Sequence, residues 1–415
     1  MKRLLPSGAR LLPAIALAAL SGCASLPPLG NGASVSNQTA GRSDAALRER
    51  QDRLLAQPLS QEAAAELALL HPALTPHFAA LGIDAASRLR LAHAPAPGTD
   101  AARSYGAAES KVERTLTIHL ASWLVAPGLR PQPSLAAARQ GEVAADAIGD
   151  WVFATRRDWV RAIAARQALR HANEAVRLSG ASQALARTMR QAGSAAALDL
   201  LRAQQLHAQA MALKAQRDAN ARLLREQLQY RAGIWGMSIE KIQLPDRLPD
   251  LPLSSVNAEG LEAVAVSQRA DMQAARAALA RHEAGTAQSA LHEAHQAMLD
   301  TTALRARAEV RSAWIAYRSR LELARHACDV MLPLAQRIAE EQGRRYNGML
   351  TGVFELIAST AAHIDAGARC TAAQGAFWLA EVDLQQALAG MGSMPAPTAD
   401  AMRPASIALP HAGDH

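Results

Sequence analysis

The sequence has few aromatic residues. Phenylalanine, tryptophan and tyrosine together make up 3% of its 415 residues, although half of all residues are apolar. Aromatic side chains supply much of the buried area in wide globular cores. Alanine, leucine, glutamine, arginine and glutamate dominate instead, a composition typical of long helices and coiled coils. The sequence therefore predicts an elongated helical molecule whose helices approach one another closely.

Long apolar runs are also lacking. No stretch beyond the N-terminus approaches the roughly 20 consecutive apolar residues that a membrane-spanning helix needs. The N-terminus has basic residues, a short apolar run over 11–20 and then Ser21, Gly22 and Cys23, which is typical of a secretory signal. Small residues directly before Cys23 resemble a bacterial lipoprotein signal, which implies cleavage there and a lipid on the Cys23 thiol. A cysteine that follows an ordinary signal by chance is the alternative.

Catalytic motifs are missing as well. The sequence shows no nucleophile paired with a base and no glycine-rich phosphate loop. The formal net charge is +7, but the arginines are spread singly along the chain rather than clustered as in a phosphate-binding patch. We therefore predict neither an enzyme nor a nucleic-acid-binding protein, and no cofactor.

A group of histidines is the nearest approach to a metal site. His282, His292 and His295 lie close to Glu293, and histidines one helical turn apart can share a metal ion. The group has no third ligand at a suitable spacing, and the region is polar throughout. Solvated helix surface is the favoured interpretation.

Proline and glycine divide the chain into eight predicted segments. They are a signal peptide (1–22), an extended arm after Cys23 (23–57), a helix with two strands (58–133), a first long helical hairpin (134–236), a proline-rich connector (237–258), a helix without clear strands (259–300), a second long helical hairpin (301–391) and a flexible tail (392–415). Ser60 is the expected N-cap of the first helix.

The two predicted strands lie at 88–92 and 112–124. In the second of them Leu116, Ile118 and Leu120 alternate with polar residues, the two-residue period of a half-buried strand. A membrane strand with one face toward lipid and a soluble sheet with one wet face give the same pattern.

The two hairpins are predicted to be repeats. Trp159 and Trp314 are 155 residues apart, and so are Gly193 and Gly348, the expected tips. Further pairs have the same offset: Arg170 with Arg325, Arg190 with Arg345, Leu198 with Val353, Leu201 with Leu356 and Ala221 with Ala376. Upstream, residues 71–74 match 269–272 at an offset of 198, so the second copy is 43 residues shorter. The missing part corresponds to the strand region.

Four short motifs on this two-copy frame resemble the bacterial outer-membrane efflux protein family, the TolC-like channels. Residues 345–351, Arg-Tyr-Asn-Gly-Met-Leu-Thr, resemble the tip motif of the family, and Ala192-Gly193 with residues 199–204 resemble its first-copy counterpart. Residues 269–275 resemble the opening of the second copy, with Ala270 where proline is usual. Residues 387–390 resemble the end of its last helix. The resemblance covers essentially the whole mature chain.

The resemblance implies a mainly α fold: two tandem copies of long antiparallel helical hairpins of the coiled-coil tunnel type, with a small β-hairpin contribution to a membrane barrel. It implies a homotrimer in the outer membrane, lipid-anchored and mostly periplasmic, that works with a periplasmic adaptor and an inner-membrane pump to export small molecules or ions. Two strands per chain would give a trimer only six, fewer than the eight of the smallest single-chain barrels. A non-conducting, lipid-anchored periplasmic scaffold is therefore the alternative.

The resemblance assigns function to the hairpin tips. Tip residues would dock the adaptor and close the inner mouth, where charged side chains could form bonds that open when partners bind. The alternative is that these polar residues merely solvate a turn. The candidate residues are Arg190, Gly193, Asp199, Arg345, Tyr346, Gly348 and Thr351.

Two cysteines remain besides Cys23. Cys328 and Cys370 each lie 21 residues from Met349, which places them at the same height on the two arms of the second hairpin. In an oxidising compartment they could form a disulfide, provided that helices packed as closely as alanine allows bring their Cα atoms within about 7 Å. Two buried free thiols are the alternative.

Overall fold

A computed structural model describes residues 45–84, 87, 135–234, 242–253, 258, 260–283 and 289–391. The predicted signal peptide, Cys23, both predicted strands, the C-terminal tail and the side chain of His282 lie outside this part of the chain. Within the described residues all regular elements are helices. The mainly helical class predicted from composition is thus confirmed.

Three short helices precede the first hairpin: α1 (45–55), α2 (Gln61–Leu69) and α3 (Thr75–Ala80), with a 3₁₀ turn at Pro72–Leu74 before α3. Ser60 caps α2 as predicted, because its Oγ accepts a hydrogen bond from the N–H of Ala63 at 3.1 Å. Gly82, with a φ of +68°, follows α3, and a left-handed residue at this place ends the helix.

Helix α1 corrects one prediction. Residues 23–57 were expected to form an extended arm, but 45–55 are helical. This stretch is rich in alanine, leucine and arginine, which are strong helix formers. Its Leu55 is 3% exposed, and Arg50 forms an ion pair with Glu66 of α2 at 2.5 Å. Contacts of α1 with the rest of the protein, including α2, therefore stabilise this helix. Its eleven residues are too few for the sequence pattern alone to have indicated a helix.

The first long hairpin consists of α4 (Leu135–Gln191, 57 residues) and α5 (Ala197–Arg231, 35 residues). Neither helix contains proline, so the backbone hydrogen-bond ladder is uninterrupted. At 1.5 Å per residue α4 is about 85 Å long. The hairpin predicted from the sequence is present.

The second copy consists of α6 (Leu261–Gln268), α7 (Ala270–Glu283), α8 (Ser289–Arg325), a π-helical turn (His326–Met331), α9 (Leu332–Asn347) and α10 (Val353–Ala389). The single helix expected over 259–300 is therefore three elements, and the second hairpin begins at Ser289 rather than at 301. Arg269, with a φ of −59° and a ψ of 142°, separates α6 from α7.

Several of the aromatic side chains lie where the two hairpins meet, away from the tips. Tyr317 and Phe377 have ring centroids 5.3 Å apart, and Phe377 and Trp378 have centroids 5.0 Å apart. Trp159 Nε1 donates to the carbonyl of Leu59 at 2.7 Å, and Trp378 Nε1 donates to the carbonyl of Pro249 at 3.1 Å. These contacts join α4, α8 and α10 to the segments that precede and connect them. We call this part of the molecule the base.

A buried arginine closes the base of the second copy. The guanidinium of Arg269 donates to Asp271 Oδ1 at 3.0 Å, to Glu309 Oε2 at 2.7 Å and to the carbonyl of Ala387 at 2.8 Å. Its side chain is 3% exposed. Burial acts to lower the pKa of Arg269, but hydrogen bonds and charge from Asp271 and Glu309 outweigh burial and raise that pKa above its ordinary value. Arg269 thus links the C-terminal end of α10 to α7 and α8.

The offset between the two copies changes along the hairpin. Thr155, Asp158 and Ala162 are buried, and so are the residues 155 positions later, Val310, Ala313 and Tyr317. At the tips, however, equivalent backbone hydrogen bonds are 156 residues apart: Ser194 N–H to Met189 C=O, and Leu350 N–H to Arg345 C=O. The second copy thus has one extra residue between these points. A π-helical turn accommodates one inserted residue within an α-helix, and the turn at His326–Met331 lies between them.

Candidate functional site: the hairpin tips

The first tip is a tight turn between α4 and α5. Gly193 has a φ of +74°, and the N–H of Ser194 donates to the carbonyl of Met189 at 2.9 Å. Together they form a Schellman motif, in which a left-handed residue ends the helix. Apart from the adjacent residues, no atom lies within 4 Å of a Cβ built on Gly193, so only the backbone conformation favours glycine here.

The second tip uses the same motif with a different residue. The N–H of Leu350 donates to the carbonyl of Arg345 at 2.8 Å, but the left-handed residue is Met349, with a φ of +58°. Gly348 has a φ of −82°. The Met349 side chain is 94% exposed. A left-handed methionine costs about 1 kcal/mol relative to glycine, so the second tip retains an exposed apolar side chain in spite of this cost.

The polar candidates of the first tip bond within their own turn. Asp199 Oδ2 accepts from the N–H of Ala196 at 3.2 Å, which caps α5. Arg190 Nη1 donates to the carbonyl of Ala195 at 3.5 Å. Their charges also complement the helix dipoles, because Arg190 lies in the last turn of α4 and Asp199 in the first turn of α5. Stabilisation of the turn thus explains part of their presence.

The polar candidates of the second tip have fewer contacts. Gln342 Nε2 donates to Thr351 Oγ1 at 3.5 Å. Arg345 and Tyr346 are exposed, and no side-chain hydrogen bond or ion pair is seen for either among the described residues. Within the same part of the chain, none joins one tip to the other. Arg345 and Tyr346 are therefore the candidates that a single chain leaves available for other molecules.

Apolar side chains at the tips were not among the sequence candidates. Met349 and Leu350 are 94% and 72% exposed, and Phe354 in the first turn of α10 is 39% exposed. The first tip exposes Leu198 and Leu201 in the first turns of α5. Exposed apolar groups that lie together mark interaction sites. The apolar pair Met349-Leu350 inside a polar turn was the available signal in the sequence.

The second hairpin contains a disulfide between Cys328 and Cys370. Cys328 lies in the π-helical turn and Cys370 in α10, and their Cα atoms are 4.8 Å apart. Small residues flank both positions, including Ala324 before the turn and Ala366 and Gly367 in α10. The close approach of the two arms thus has the cause considered from the sequence, namely small side chains at the crossing.

Comparisons with known proteins give a result for structure and none for sequence. No protein-family model and no curated protein matches the chain. The structure is similar to the outer-membrane channel OprN, with a TM-score of 0.53 and 16% identity over 81% of this chain and 91% of OprN. It is similar to the outer membrane protein VceC from Vibrio cholerae, with a TM-score of 0.53 and 13% identity over 80% of this chain and 96% of VceC. The chain has the fold of outer-membrane channels.

A third solved structure supports the same assignment of fold. The CmeC outer membrane channel from Campylobacter jejuni has a TM-score of 0.51 and 11% identity over 84% of this chain and 86% of CmeC. The alignments extend over most of both chains, so the two-copy arrangement as a whole has the channel fold. The two-copy helical part of the fold expected from the tip and second-copy motifs is thereby confirmed.

One departure noted in the sequence is visible in the structure. Helix α7 ends at Glu283 and α8 begins at Ser289, so five residues join them. A strand that crosses a membrane needs about 9–11 residues. The number of residues between α7 and α8 is therefore smaller than one such strand needs.

The described residues contain neither a metal-binding group of side chains nor a helix suited to crossing a membrane. No three or more histidine, cysteine, aspartate or glutamate side chains there are arranged to hold a metal ion. His295 Nδ1 instead lies 2.8 Å from the carbonyl of Leu291 in its own helix. Among the same residues, each helix is too short or too polar to span a bilayer.

Proposed function

We propose that the protein is the outer-membrane channel component of a tripartite efflux system and exports small molecules or ions from the periplasm. The observation that carries the proposal is the fold, which aligns with solved outer-membrane channels over about four-fifths of this chain. The role is non-catalytic: the chain provides a path and docking surfaces. Its working form is a homotrimer, anchored in the outer membrane by lipid on Cys23 and by strands from the first copy.

The tips support the partner assignment within this proposal. Arg345 and Tyr346 are exposed, and Met349, Leu350 and Phe354 add apolar area next to them. A surface with an arginine and aromatic residues beside apolar ones is typical of protein interfaces. The proposed partner at the tips is a periplasmic adaptor, which in turn contacts an inner-membrane pump.

The experiment is the conductance of the purified full-length protein in a planar bilayer, together with its mass in detergent. Discrete conductance steps, a trimeric mass and a lipid-modified N-terminal cysteine are expected. A lipidated protein that never conducts would contradict the proposal and favour a periplasmic scaffold. The short connection between α7 and α8 is the specific observation behind that second candidate.

A pair of variants tests the closing role of the second tip. Removing Arg345 and Tyr346 together (Arg345→Ala, Tyr346→Ala) is expected to raise the conductance several-fold if their contacts narrow the mouth of the trimer. The control is Arg369→Ala in α10, which removes an exposed ion pair with Asp365 and should leave conductance unchanged. Equal conductance in all three proteins would remove the gate from the proposal while retaining the channel.

A further inference from the structure

Side-chain burial in the second hairpin stops well before its tip. One face of α8 is buried at regular intervals, at Thr302, Ala306, Val310, Ala313, Tyr317, Leu321 and Ala324. On the opposite arm the buried residues of α10 begin at Ala366. All residues from 325 to 365 are described, and none of them is buried. We call this segment the outer half of the second hairpin.

The first hairpin is different. Its buried residues continue toward the tip through Ala172, Ser179, Ser182 and Ala186 on α4, with Ala203 on α5. Ser179 Oγ also lies 3.1 Å from His207 Nδ1 of the opposite arm. Burial and a polar contact thus hold the arms of the first hairpin together to within seven residues of Gly193. In the outer half of the second hairpin no residue is buried, although Gln342 Nε2 donates to Thr351 Oγ1 at 3.5 Å near the tip.

The disulfide lies where the buried part of the second hairpin ends and its outer half begins. On one arm Cys328 comes four residues after Ala324, the last buried residue of α8. On the other arm Cys370 comes four residues after Ala366, the first buried residue of α10. The covalent bond therefore lies between a base with buried side chains and an outer half in which no residue is buried. Segments with few buried contacts open at a low free-energy cost.

We propose that the Cys328–Cys370 disulfide is a covalent stop that prevents separation of the two arms at the tip from continuing into the base. The inference rests on the hairpin alone and does not require that the protein conducts. Opening of the outer half costs little, and without the bond the next turns of α8 and α10 would separate in sequence. The bond closes a loop with a sequence separation of 42. By the loop-entropy relation it disfavours open states on the order of 10²- to 10³-fold.

The bond requires an oxidising partner of defined chemistry. The Cys328 and Cys370 thiols together lose two protons and two electrons as the S–S bond forms. A protein disulfide of a thiol oxidoreductase accepts them and becomes two thiols, by way of a mixed disulfide. Such partners operate in oxidising compartments, which agrees with the periplasmic position proposed above.

Hydrogen exchange of the full-length protein tests the stop. Three samples are compared: the oxidised protein, the same protein after reduction, and the double variant Cys328→Ala, Cys370→Ala. Amides of 317–331 and 366–378 are expected to exchange at least tenfold faster in the second and third samples. Amides of the first hairpin, 135–231, should not change. A control variant, Gln336→Ala, alters an exposed side chain of the outer half and should behave like the oxidised protein.

Three outcomes would overturn the proposal. Unchanged exchange at 317–331 and 366–378 after loss of the bond would show that packing alone limits the opening. Faster exchange in the first hairpin as well would show that the bond stabilises the whole molecule and not a boundary. Free thiols at both cysteines in protein secreted through an oxidising compartment, read from the intact mass, would show that the bond does not form.

Discussion

At the scale of single residues, the two tips differ in the residue that takes the left-handed conformation. Gly193 adopts it without a side chain, whereas Met349 adopts it with a side chain that is 94% exposed. Backbone strain that persists at an exposed position often accompanies function. At Met349 the turn favours glycine, whereas a docking surface favours an exposed apolar side chain.

Exchanging these residue types should give opposite effects. Met349→Gly is expected to raise the free energy of unfolding by up to about 1 kcal/mol, because glycine adopts a positive φ without steric cost. Gly193→Ala should lower it by about 1 kcal/mol, since no neighbouring atom lies within 4 Å and only the backbone cost remains. Urea unfolding measures both. A loss of stability in Met349→Gly would mean that the methionine side chain stabilises the single chain.

Arg269 is the residue whose removal should cost most. Arg269→Ala would leave two carboxylates and the Ala387 carbonyl without their buried donor, at a cost of about 3–5 kcal/mol. Arg305→Ala is the control, because Arg305 also pairs with Asp271, at 3.2 Å, but is 59% exposed; it should cost less than about 1 kcal/mol. Thermal and urea unfolding distinguish the two, and similar costs would contradict the role of burial.

The raised pKa of Arg269 determines the pH range in which this residue stabilises the folded state. A group whose pKa is higher in the folded than in the unfolded state stabilises the fold at every pH below its unfolded value. For arginine this range includes neutral and acidic solutions. The contribution that the raised pKa of Arg269 makes to the free energy of unfolding should therefore be constant from pH 6 to pH 9. The difference in unfolding free energy between the wild type and Arg269→Ala should not vary across that range.

At the scale of elements, the π-helical turn explains how the second hairpin contains one residue more than the first and still closes with the same turn motif. Residues before the turn match the first copy at an offset of 155 and the tip matches at 156. The extra residue is taken up locally, so α9 still approaches α10 along one face. In a helix without such a turn, one inserted residue would rotate all later residues by about 100° about the helix axis.

Deleting one residue from this turn should therefore be tolerated. Removal of Val330, which is 50% exposed, is expected to convert the turn to regular α-helix at a cost of about 1 kcal/mol. Removal of Ser312, an exposed residue of the regular helix α8, is the control. It should cost more than about 2 kcal/mol because it rotates the buried residues Tyr317 and Leu321 out of their packed positions. Thermal unfolding and the presence of the disulfide, read from the intact mass, are the measurements. Equal costs would refute the insertion account.

At the scale of the whole molecule, the single chain leaves apolar side chains on the outer surface of its long helices. On α9 and the turn before it, Val330, Met331, Leu334 and Ile338 are 43–53% exposed. Leu323 on α8 and Leu223 on α5 are exposed as well. Apolar surface of this extent is typical of a subunit interface. It supports the proposal that copies of the chain associate.

Charge placed on this surface should disrupt the association. The variant Leu334→Arg, Ile338→Arg puts two charges on one face of α9, four residues apart. Burying unpaired charge in an interface is costly, so dissociation of the proposed trimer should increase at least tenfold. Gln336→Arg adds the same kind of charge to another face of the helix and should leave the mass in detergent trimeric. A trimer that persists in the double variant would place the interface elsewhere.

The sequence by itself determined the long helices, the hairpins and the positions of the tips. Composition without proline over 134–231 leaves a continuous helix as the stable local structure. The two-copy offset located both turns to within one residue, and the shared distance from Met349 put Cys328 and Cys370 opposite each other. These properties depend on neighbours along the chain, which a sequence displays directly.

Only the tertiary structure decided which residues carry strain, burial and covalent links. The left-handed position at Met349 rather than Gly348 and the π-helical turn are local features that the residue pattern did not indicate. The helix over 45–55 and the buried bonds of Arg269 depend on contacts between distant segments. The same is true of the unequal burial of the two hairpins. Helices of similar composition bury different faces, depending on which helices pack beside them. The periodicity of a sequence does not specify which helices those are.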